Sequence, residues 1–60
     1  MPKTYEIRAG EQTYMKHTKR SAYTLAAYLT GNGYDSARVY LDGQIVAAYR
    51  RHEGRTIRVN

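Results

Sequence analysis

The sequence predicts an α+β fold, a small single domain of order ββαβββ with one helix packed on an antiparallel sheet. Three observations carry that prediction. Asp42-Gly43 and Glu53-Gly54 are turn signals that divide residues 36–60 into three short strands. Residues 4–9 alternate polar and apolar side chains with the period of two that marks a half-buried strand. Between these regions, residues 18–33 alone carry the apolar spacing of a helix.

Taken in order, Tyr5, Ile7 and Ala9 alternate with Thr4, Glu6 and Arg8, and this is the first strand. Gly10-Glu11 is a plausible turn into a second strand over residues 13–17. Its register stays open at this level. A two-residue turn sets Tyr14 beside Ile7, whereas a three-residue turn sets Met15 there.

In the helix candidate, Thr18 or Ser21 can act as N-cap, accepting from an otherwise orphan backbone N–H of the first turn. Ala22, Leu25, Ala26 and Leu29 fall at i, i+3, i+4 and i+7 and form one narrow apolar stripe, with Tyr23 and Tyr28 on its two margins. Gly31-Asn32-Gly33 supplies residues that tolerate the left-handed conformation ending a helix. A helix of about three turns does not hold alone in water, so this one requires packing against a sheet.

In the C-terminal stretch, a type I′ turn at Asp42-Gly43 pairs Leu41 with Gln44, Val39 with Val46 and Ala37 with Ala48. The turn at Glu53-Gly54 pairs His52 with Arg55, Arg50 with Ile57 and Ala48 with Val59. Combined, the two registers predict an aliphatic face of Ala37, Val39, Leu41, Val46, Ala48, Ile57 and Val59 beneath the helix stripe. The opposite face then carries Arg38, Tyr40, Ile45, Ala47, Tyr49, Arg51, Thr56 and Arg58. Strand order, and whether the N-terminal hairpin joins the same sheet, are not encoded locally.

Sixty residues make one domain, 1–60, near the lower limit at which a single core holds a fold. A homodimer formed through an open sheet edge or a tyrosine-rich surface is therefore an ordinary expectation. There is no cysteine, hence no disulfide framework. His17 and His52 alone do not make a structural zinc site, and no cofactor motif is present. The apolar run Ile45-Val46-Ala47 continues only into Ala48 and Tyr49, far short of a membrane span, and residues 1–5 contain no signal-peptide core. A cytoplasmic protein without membrane contact is the default expectation.

Net charge is +5, from ten Lys and Arg against five Asp and Glu, which favours polyanionic partners. Tyr is the sole aromatic type, with seven copies, and suits half-buried positions and interfaces. The expected binding face joins both properties. Arg38, Arg51 and Arg58 supply planar forks for phosphate, while Tyr40 and Tyr49 supply rings for bases or sugars. Lys19 and Arg20 stand in the first helical turn, where the dipole prefers anions, so a bound phosphate would resolve a local conflict.

The leading expectation is thus a non-enzymatic nucleic-acid-binding domain using Arg38, Tyr40, Tyr49, Arg51, Arg58, Lys19 and Arg20. The alternative is a protein-interaction module, such as a small phage-type inhibitor or regulator of a host protein. A further alternative, a small ribonuclease toxin, would employ His17 and His52 as general acid and base. No Ser-His-Asp set, carboxylate pair or Gly-rich phosphate loop supports catalysis. Tyr and Arg are also good strand formers that stabilise an exposed sheet by cross-strand packing, without any ligand.

Overall fold

A computed structural model describes residues 3–60; Met1 and Pro2, which precede the first strand, lie outside the described residues. The chain runs β1 (Tyr5–Ala9), β2 (Gln12–Lys16), α1 (Lys19–Leu29), β3 (Ser36–Leu41), β4 (Gln44–His52) and β5 (Arg55–Arg58). All five strands form one antiparallel sheet of order β2-β1-β3-β4-β5, with the helix on one face, so the predicted α+β class is the observed one. The N-terminal hairpin does join the main sheet, because β1 pairs with β3. Since β1 is antiparallel to both β2 and β3, α1 links two mutually parallel strands across it.

The turns resolve the registers. Gly10 has φ +58° while Glu11 stays out of the positive region, the pattern of a two-residue type II′ turn, and Ile7 lies opposite Tyr14. Space there is tight as well, since a Cβ at Gly10 would stand 3.1 Å from ring carbons of Tyr34 and the ring would have to give by a few tenths of an ångström. Asp42 and Gly43 have φ of 53° and 79°, and Glu53 and Gly54 have 51° and 78°, so both C-terminal turns have the two positive values of type I′.

The helix begins as its sequence predicts. The Thr18 side-chain oxygen accepts from the Ser21 backbone N–H at 3.1 Å, which selects Thr18 as N-cap. Ala22, Ala26 and Leu29 are buried and Leu25 is half-buried against the core they share with Ile7, Val39 and Ala47. Three alanines in that layer let helix and sheet approach closely. At the other end, the buried Thr30 hydroxyl donates to the Ala26 carbonyl at 2.9 Å. The Thr30 carbonyl in turn accepts from the Thr56 hydroxyl at 3.0 Å, tying the helix end to β5.

One strand departs from expectation. Leu41 faces Gln44 and Tyr40 faces Ile45, but the ladder then shifts, and Val39 faces Ala47 while Ala37 faces Tyr49. Val46 is the extra residue of a β-bulge. Because side chains alternate with period two, one inserted residue sends everything beyond it to the other face. The predicted pairs Val39–Val46 and Ala37–Ala48 are therefore corrected. The β4–β5 register itself agrees with the turn-based reading: His52 faces Arg55, Arg50 faces Ile57, and the Val59 N–H donates to the Ala48 carbonyl at 2.9 Å. What changes is which face each set occupies. Ala47, Tyr49, Arg51, Thr56 and Arg58 lie on the helix side, and Ala48, Ile57 and Val59 turn away from it.

Candidate nucleic-acid interface

The bulge splits the expected binding residues into two groups on opposite sides of the sheet. Arg38 and Tyr40 remain on the face that no helix covers, where the ladder places them directly opposite Ala48 and Ile45. Tyr49, Arg51 and Arg58 are on the helix side. There Lys19 Nζ stands 5.4 Å from the Tyr23 ring centroid and Arg58 Cζ 5.1 Å from it, one cation from the helix and one from β5. Tyr49 meets the same ring edge-on, with centroids 6.5 Å apart at 77°. The Tyr23 hydroxyl reaches the Val46 carbonyl at 3.4 Å, and Arg58 Nε donates to the Asn60 carbonyl at 2.7 Å. This cluster clasps β5 and the bulge of β4 to the helix; its tyrosines and cations satisfy one another.

Arg20 is not in the clasp. It borders an open groove of about 490 Å³ with Lys16, Ser21, Thr24, Leu25 and Tyr28, on the side of the helix over β2. Lys19 and Arg20 therefore do not share a surface with Arg38 and Tyr40, and the sheet stands between the two pairs. His17 and His52 also separate. His17 follows Lys16 at the end of the sheet where Asp42-Gly43 turns, and His52 precedes the Glu53-Gly54 turn at the other end. A two-histidine cleavage of one phosphodiester has no shared site in that geometry. Among the described residues, no three His, Asp or Glu side chains gather as a metal site requires.

The uncovered face gains what the helix side took. Arg8 on β1 lies directly opposite Arg38 on β3, Arg50 on β4 lies opposite Ser36, and Arg55 on β5 lies opposite His52. All four arginines are exposed. Glu6 is the one acid among the strand residues of this face. It pairs with Arg8, whose guanidinium also covers the Tyr40 ring at 4.6 Å from the centroid. Hydrogen bonding to Glu6, and then its charge, hold Arg8 above its ordinary pKa. Among the described residues, no carboxylate lies within ion-pair distance of Arg38, Arg50 or Arg55. Like charges directly opposite on a sheet repel; Glu6 offsets Arg8 here, and Arg38, which no described carboxylate reaches, is left free to meet an anion.

Elsewhere, Tyr34 is the other displaced group; hydrogen bonding with Tyr14, then burial, raise its phenol above the usual range. That pair packs against the core and belongs to the scaffold. Arg8, Arg50 and Arg55 escaped the sequence reading for two reasons, both non-local. They share a face with Arg38 only once Val46 is recognised as a bulge, or once β1 is known to pair with β3. Comparisons with protein-family models, with curated proteins and with solved structures find no match for this chain.

Proposed function

We propose that this chain is a small non-enzymatic domain that binds nucleic acid through the uncovered face of its sheet, with Arg38, Arg8 and Arg50 on phosphates and Tyr40 beside them. The observation that carries the reading is Arg38 and Arg50, exposed on the uncovered face with no carboxylate in ion-pair reach among the described residues, beside an Arg8 that Glu6 already pairs. Exposed strand cations that no carboxylate reaches are suited to an anionic partner. The reading places its work in the cytoplasm, where nucleic acid is accessible.

The test is a salt titration of binding to random oligonucleotides. Micromolar affinity at low salt, falling steeply as salt rises, is expected. Arg38→Ala and Arg50→Ala each weaken binding several-fold and flatten the salt dependence, whereas Arg51→Ala, on the helix side, leaves both unchanged. Absence of binding at low salt contradicts the reading. An equal effect of Arg51→Ala would move the site to the other face.

A further inference from the structure

The cations of the uncovered face form a line rather than a patch. Arg8 and Arg38 are direct neighbours across β1 and β3. Arg50 is diagonal to Arg38, because its partner Ser36 lies two residues before Arg38 on β3. Arg55 is diagonal to Arg50 in the same sense, because its partner His52 lies two residues after Arg50 on β4. Strand geometry makes the first step about 5 Å and each diagonal step about 7–8 Å, so the row crosses four strands in roughly 20 Å. Such a row matches the charges of one nucleic-acid strand. A duplex offers two phosphate rows separated by a groove, and this face holds no second row to meet the other.

The two sides of the row differ. Toward the Asp42-Gly43 turn lie Tyr40, whose ring Arg8 partly covers, then Ile45, Ala48, Ile57 and Val59, with Met15 set apart from them by Glu6. Ile45 is 43 % exposed and Val59 51 %, an apolar strip without cover on a chain this small. On the other side, the strand positions beside the row are Ser36 and His52, both polar. A paired duplex keeps its base faces inside and has little to lay on an apolar strip. An unpaired strand with its backbone on the arginines has base faces to place there.

Resting on the nucleic-acid reading above, we propose that the ligand is single-stranded, with its backbone along Arg8, Arg38, Arg50 and Arg55 and its bases turned onto the apolar strip beginning at Tyr40. The bases are held by apolar contact and one ring, so the site accepts many sequences.

The experiment compares fluorescence anisotropy of a single-stranded DNA 12-mer of mixed sequence with that of the same sequence as a duplex, across a salt series. The single strand should bind about tenfold more tightly at each salt concentration. Its log–log salt slope should be about 3, as four phosphate contacts give. Ile45→Ser and Val59→Ser, both at exposed positions, should lower single-strand affinity several-fold while leaving the slope unchanged; Arg55→Ala should reduce the slope by about 0.7. Duplex binding as tight as single-strand binding, or no effect of either serine variant, overturns this proposal and leaves the nucleic-acid reading standing. Binding to neither oligonucleotide overturns both.

Discussion

Val46 decides what each side of this protein presents. As the extra residue of the bulge, it puts Ala47 against the helix and sends Ala48 to the uncovered face. Neighbouring alanines thereby acquire opposite tolerances. Ala47→Leu inserts volume into the layer shared with Ala22 and Ala26 and should cost about 1–3 kcal/mol. A thermal melt would show this as a fall in Tm of several degrees. Ala48, 8 % exposed on the uncovered face and outside the helix-side core, leaves room for a longer side chain to spread outward, so Ala48→Leu should cost clearly less than Ala47→Leu. The reverse ranking would restore the unbulged register. The turn residues were legible because each carries a local signature, and the cap was legible as Thr18 or Ser21, either hydroxyl being able to meet an orphan N–H until the Ser21 N–H is seen donating to Thr18. The bulge was not. Residues 45–49 are all apolar or aromatic, so they fit either phase of a strand, and nothing local marks the residue that will be extra.

Among the elements, β5 is the one most dependent on others. It is a four-residue edge strand, held by β4 along one side and by the helix at two points. One point is the hydrogen bond from Thr56 to Thr30, and the other is the stacking of Arg58 on Tyr23. Tyr23→Ala removes a ring that Lys19, Arg58 and Tyr49 all use. It should lower global stability by about 1–3 kcal/mol and, more specifically, accelerate amide exchange in β5 ahead of β1 and β3. Uniform acceleration across the sheet would mean that the clasp has no local role. The helix shows how far periodicity reaches. Its apolar stripe was readable from spacing alone, and Ala22, Ala26 and Leu29 are buried as that spacing requires. Tyr23, read as a margin residue, gathers Lys19 from its own helix, Tyr49 from β4 and Arg58 from β5. The Lys19 contact is a local i,i+4 pair, but the Tyr49 and Arg58 contacts span twenty-six and thirty-five positions, and no local pattern encodes those two.

At the scale of the whole molecule, one helix covers one side of a five-strand sheet and leaves the other side bare. No helix among the described residues is long and apolar enough to cross a membrane. Element order and fold class could be read from turns and periodicity, because each is a short-range property. The composition of the two faces could not, since it depends on the β1–β3 pairing and on the bulge. The proposed nucleic-acid site accordingly moves to a different set of side chains: Arg38 and Tyr40 stay, Arg8, Arg50 and Arg55 join, and the residues around Tyr23 become part of the scaffold. The most direct measurement is therefore chemical-shift mapping of the amide spectrum during titration with an oligonucleotide at low salt. The account predicts perturbations concentrated at Arg8, Arg38, Tyr40 and Arg50, with the amides of α1 undisturbed. Perturbations centred on α1 and the groove bordered by Arg20, with the sheet positions silent, would contradict it.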